Sequence, residues 1–150
     1  MAAEQSDLMG PPPAGVWSDR FVQPELDVLL DAIDGAKLPA VREFLDRTLE
    51  HFEAKARVSW RGLPWRWTVE IVVPGEDEPI AFVVCNPVRP GVAVSVRLTT
   101  LETVQASDLS AAARDAVTHA PAVGDRLWIE LDATANATLG DVRALARPSS

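Results

Sequence analysis

Hydrophobic residues along this chain recur at two different periods, and the points where one gives way to the other mark out its elements. Leu26, Leu29, Leu30 and Ile33 fall at i, i+3, i+4 and i+7 behind Pro24, which suits a first helical position, until Gly35 ends the run. A longer stripe opens at Pro39. Val41, Phe44, Leu45, Thr48, Leu49 and Phe52 share one helical face, with Arg42, Glu43, Asp46, Arg47, Glu50 and Glu53 on the other. The period then drops to two. Arg57 to Arg61 reads as a short strand, and Gly62 and Pro64 punctuate it. Trp65, Trp67, Val69, Ile71 and Val73 set one apolar row along a second strand. Ile80 to Cys85 and Val92 to Leu98 supply a third and a fourth, separated by Pro/Gly loops.

Helical spacing returns from Leu101, clearest in Leu109, Ala112, Ala113, Ala116 and Val117, and stops at His119-Ala120-Pro121. A fifth strand runs from Arg126 to Asp132, with Leu127, Ile129 and Leu131 inward and Trp128, Glu130 and Asp132 on the other side. Thr138-Leu139-Gly140-Asp141, an N-cap residue with an acid three positions on, opens a last short helix through Val142 and Leu145. The order is ααββββαβα. Four successive strands with loops this short imply an antiparallel meander. The expected fold class is therefore α+β, a two-layer sandwich with about five strands, helices on one face and the other face part covered or open.

Residues 1–20 mix Ala, Ser, Gly, Pro and acids with no period, and read as a flexible tail with Trp17 as its one anchor for docking. Residues 21–150 then form a single domain, a normal size for one core. At 47% hydrophobic and 24% charged, the chain is far from the profile of a disordered one. A net charge of -8 argues against nucleic acid as the main partner and against an anionic membrane. No apolar run is long enough to span a bilayer, and acids stand where a signal peptide needs positive charge. Cys85 is the one cysteine, so no internal disulfide forms and a cytoplasmic setting is expected. The cations are nearly all Arg, with Lys37 and Lys55 the two lysines, as GC-rich coding would give.

One stretch departs from the acidic background. Arg57-Val58-Ser59-Trp60-Arg61-Gly62-Leu63-Pro64-Trp65-Arg66-Trp67 holds three tryptophans and three arginines without an acid. Indole offers a π face and guanidinium a bidentate fork, so Trp60, Arg61, Trp65, Arg66 and Trp67 are the candidate ligand-binding residues for a small anionic or aromatic ligand or a protein partner. Against this, Trp65 and Trp67 continue the inward row of Val69 and Ile71, and large aromatics are commonly buried for their area alone. Parity favours that packing role.

Other constellations are weaker. Glu43, Asp46, Glu50 and Glu53, with His51 beside them, could collect a hard cation or iron, but Arg42 and Arg47 interleave and a solvated helix face explains them. Glu76-Asp77-Glu78 between Pro74-Gly75 and Pro79 reads as a soluble hairpin loop. Cys85 ends an apolar strand, where an inert thiol is the default. Nucleophile-elbow and phosphate-loop motifs are absent from the sequence, so no catalytic residue, metal ligand or cofactor is assigned. The leading expectation is a non-enzymatic binding or regulatory module. The alternative is a small enzyme of unspecified reaction, built from remote residues such as Glu70 or His119; a third is iron handling through the acidic helix face.

Val123-Gly124-Asp125-Arg126-Leu127-Trp128-Ile129-Glu130-Leu131, followed by Leu139-Gly140-Asp141-Val142-Arg143-Ala144-Leu145, resembles the C-terminal part of a bacterial domain-of-unknown-function family, number 3788. With the paired helices and the Trp-bearing strand start, the resemblance covers most of Pro24 to Pro148. It implies fold rather than chemistry. The chain departs from that family at Pro64-Trp65-Arg66-Trp67 and in having no tyrosine, and the resemblance carries no catalytic residue. Homodimerisation through an open sheet face or edge is left undecided by the sequence.

Overall fold

The alternating segments pair into one antiparallel sheet. The computed structural model describes residues 14–146, so residues 1–13 of the expected tail lie outside the described residues. β1 (Lys55–Trp60), β2 (Trp67–Val72), β3 (Ala81–Val84) and β4 (Gly91–Arg97) follow one another as the expected meander. Among the described residues, β5 (Ala122–Val123) and β6 (Arg126–Asp132) complete six strands in the order β1-β2-β3-β4-β6-β5. The edge strand β5 was not anticipated. Two exposed residues are too short to show a period.

Period-two patterning puts Val69, Ile71, Val83, Val92, Val94 and Ile129 on one face, all essentially inaccessible to solvent. Helices cover that face. α1 (Ala14–Ser18), α2 (Leu26–Asp31), α3 (Leu38–Phe52), α4 (Leu98–Leu101), α5 (Ala111–His119) and α6 (Thr138–Leu145) each supply residues to, or packed against, the same apolar cluster. The architecture is α+β, as the patterning implied. Arg42 on α3 ties α2 down through Asp27 (3.2 Å) and Asp31 (3.0 Å), and these carboxylates raise its already high pKa. α3 ends where Glu53 turns left-handed at φ 52, with the Ala54 N–H closing onto the Leu49 carbonyl.

Several details differ from the sequence reading. Within the expected tail, Ala14–Ser18 form α1 and Trp17 is only 7% exposed, docked in the core. Pro24 precedes the first long-period helix rather than opening it; Glu25 is the N-cap. The expected fourth strand ends at Arg97, Leu98 opens α4, and the segment beyond Leu101 holds a 3-10 turn at Ala106–Asp108 and then α5, which Ser110 caps by accepting from the Ala113 N–H. Thr138 is no cap. It is already helical and donates to the Asp132 carbonyl, while Asp141 accepts from the backbone and hydroxyl of Ser110 at 2.8 and 2.7 Å. The acid read as part of its own helix's cap instead anchors the neighbouring helix.

Candidate functional site

The loop between β1 and β2 decides how the Trp/Arg stretch is used. The Arg61 N–H donates to the Arg66 carbonyl and the Arg66 N–H to the Gly62 carbonyl, closing a tight turn. Gly62 sits at φ 78, where only glycine is comfortable, and Arg66 at φ 62. A left-handed residue interrupts strand alternation, so Trp65 and Trp67 leave on opposite sides of the sheet. The expected single row of Trp65, Trp67, Val69 and Ile71 is therefore wrong at its first member.

Trp67 does belong to the core. It is 6% exposed, its indole N–H donates to the Asp19 carbonyl at 2.7 Å, and Trp60 packs edge-on against it at 5.4 Å. Arg66 also has a structural role: its guanidinium lies 4.8 Å over the Trp17 ring and donates to the Ser18 hydroxyl. The Trp17 indole N–H in turn donates to the Trp65 carbonyl at 2.9 Å. Arg66 and Trp67 thus hold α1 and the residue after it against the sheet, with Trp60 packed against Trp67.

Trp65 and Arg61 lie on the face away from the helices. There Trp65 meets Phe82 at 5.5 Å and Trp128 at 5.8 Å, and Phe82 meets Trp128 at 5.7 Å. Ala93, the register partner of Phe82, is fully buried with only a methyl group to offer. Beside the rings Glu70, register partner of both Arg57 and Phe82, has a side chain only 3% exposed. A buried carboxylate is costly unless paired. Arg57 supplies Nε at 2.8 Å and Nη2 at 2.6 Å to one oxygen, and Arg61 supplies Nη1 at 3.0 Å to the other. The Arg61 guanidinium also stacks 4.8 Å from the Phe82 centroid. Two guanidinia against one carboxylate leave an excess positive charge fixed beside an aromatic surface.

Of the five sequence candidates, then, the structure brings Arg61 and Trp65 into one surface and assigns Trp60, Arg66 and Trp67 to packing. Arg57, Phe82, Glu70 and Trp128 complete that surface. Arg57 stood in the Trp/Arg stretch and Glu70 was named for an alternative site, while Phe82 and Trp128 are large aromatics on the outward parity of their strands, where polar residues are the rule.

Elsewhere, Glu43 pairs with Arg47 at 2.9 Å along α3, and no group of three or more His, Cys, Asp or Glu among the described residues is arranged to hold a metal. His119 interacts within its own helix, near the Asp115 carbonyl and carboxylate. Cys85 is buried, which pushes its thiol up to about 12. The Thr134 hydroxyl and N–H hold the Asp132 carboxyl below its ordinary range. No helix among the described residues is long and apolar enough to cross a membrane. Comparisons with protein-family models, curated proteins and solved structures find no match to this chain, so the resemblance to the domain-of-unknown-function family rests on the quoted residues alone.

Proposed function

We propose that this chain is a non-enzymatic binding or regulatory module that receives a planar, anionic group on the open face of its sheet. The group would stack against Trp65 and Trp128 and meet the cationic edge formed by Arg61 and Arg57. A small metabolite or the side chain of a partner protein would satisfy the same chemistry. The lone buried cysteine and the Arg-rich composition support a bacterial, cytoplasmic setting for such a module.

The observation that carries this reading is the use of Glu70. Burying a carboxylate in order to hold two arginines is a poor route to stability, because an apolar trio of similar size commonly does as well or better. Its effect is to fix Arg61 over the Phe82 ring, lowering the ordering cost of binding there. Thermal-shift screening against aromatic carboxylates, sulfonates and phosphates tests it. Shifts should vanish in Arg61→Ala and Trp128→Ala and persist in Arg66→Ala; shifts that survive the first two substitutions would move the site elsewhere.

A further inference from the structure

A second candidate site lies at the far end of the strands from the Trp65 turn. A cavity of about 400 Å³ opens between the β2–β3 loop, the end of β4, the start of β6 and the end of α6. That volume is in the range of small-molecule sites. Its walls are of opposite charge. Arg97 and Arg126 are direct register partners on β4 and β6, which puts two like charges side by side, normally a destabilising arrangement. Across from them the loop brings Asp77 and Glu78.

The opposed charges are only loosely paired. Arg126 is anchored by Nη1, which donates to both the carbonyl and the hydroxyl of Ser95 at 3.3 and 3.2 Å. Its Nη2 reaches Glu78 only at 3.6 Å, against 2.6 Å for Arg57 and Glu70 on the same molecule. A charge-assisted hydrogen bond is normally about 2.7–2.9 Å, so this contact leaves hydrogen-bonding capacity on both sides. The Arg97 guanidinium makes no hydrogen bond or ion pair with a described residue, although Arg126 is its register partner on the next strand. A cavity that holds an anchored arginine and an unpaired one on one wall, and carboxylates on the other, is complementary to a molecule charged at both ends.

We infer that this cavity binds a small zwitterion, its phosphate or carboxylate held by Arg97 and Arg126 and its protonated amine by Glu78 and Asp77. The Ser95 and Thr100 hydroxyls line the same space and supply further polar contacts. This site shares no residue with the aromatic face, so either proposal stands if the other fails.

Calorimetric titration of the full chain with phosphoethanolamine, β-alanine, inorganic phosphate and ethanolamine separates the alternatives. Phosphoethanolamine or β-alanine should bind at least about tenfold tighter than phosphate or ethanolamine alone, and which of the two wins identifies the anionic group. Arg97→Ala, at an exposed position, should unfold at no lower a temperature than the parent chain and lose about tenfold or more in affinity. Glu78→Gln should remove the advantage conferred by the amine and leave phosphate binding unchanged. The inference is overturned by equal affinity for phosphate and phosphoethanolamine, by binding indifferent to Arg97→Ala, or by no saturable binding of any probe at millimolar concentration.

Discussion

The two faces of one sheet are buried by different means. On the helix side Val69, Ile71, Val83, Val94 and Ile129 are sealed by whole secondary-structure elements packed over them. On the other side Thr68, Glu70, Phe82 and Ala93 are just as inaccessible, yet their cover is made of side chains, chiefly Trp65 and Trp128 with Arg57 and Arg61 at the margin. A helix layer excludes ligands by construction. A layer one side chain thick can open or stack a further ring, and it is polar at its edge. Equal burial numbers therefore conceal a scaffold face and a surface suited to recognition.

The largest expected effect comes from the scaffold face. Ile129→Ala, at a position with no exposure, should cost about 4 kcal/mol in urea unfolding through lost transfer energy and an unfilled cavity. A cost under about 1 kcal/mol would mean that the helix layer collapses freely onto the sheet.

On the open face the effects should depend on which partner is removed. Replacing both Arg57 and Arg61 by Ala strands the Glu70 carboxylate and should cost about 3 kcal/mol. Glu70→Gln instead leaves two guanidinia that water can reach, and about 1–2 kcal/mol is expected. Equal losses in the two variants would show that Glu70 is better solvated than the structure indicates.

Within the helix layer, Asp141→Ala removes both hydrogen bonds to Ser110 and should cost about 1–2 kcal/mol, with amide exchange accelerated at the start of α5 rather than in α6. Faster exchange confined to α6 would restore the local capping role read from its sequence.

Cys85 gives the smallest effect at neutral pH and a distinctive one in alkali. Its folded-state value of about 12 lies above the ordinary 9.0. Below pH 9 both states keep the proton and stability is insensitive to this group. Between the two values the unfolded chain loses its proton first, so stability should fall by about 1.4 kcal/mol per pH unit. The chain has no tyrosine to confuse the titration. Cys85→Ala should flatten the slope of unfolding free energy against pH above 9, and an unchanged slope would contradict this role for the buried thiol.

What could be read in the sequence follows the same division. The helix-side face was legible because alternation in β2, β4 and β6 and the α3 stripe are direct consequences of one-sided burial. The open face was half legible. Outward Trp128 was visible as an aromatic among acids, and the Arg/Trp stretch marked the right loop. Trp65 was misplaced because its direction depends on the φ of Arg66, a backbone choice that no residue type announces when the position is not glycine. The Glu70 clamp and the Arg97–Arg126 juxtaposition depend on cross-strand register, which a single strand's pattern does not contain. Asp141 illustrates the remaining kind of miss, a local motif recruited by a neighbour across 31 positions of sequence.

The most direct test of the open face as a recognition surface is a fluorescence titration of the folded protein with 8-anilino-1-naphthalenesulfonate, an anion with a planar naphthalene ring. Cooperative urea unfolding of each variant would show that the dye reports a native surface rather than a loosened core. Saturable binding that is lost in Arg61→Ala and in Trp128→Ala, and retained in Arg66→Ala, is the predicted result. Binding absent from the parent chain, or equal in all three variants, would contradict it and leave Trp65, Phe82 and Trp128 as packing alone.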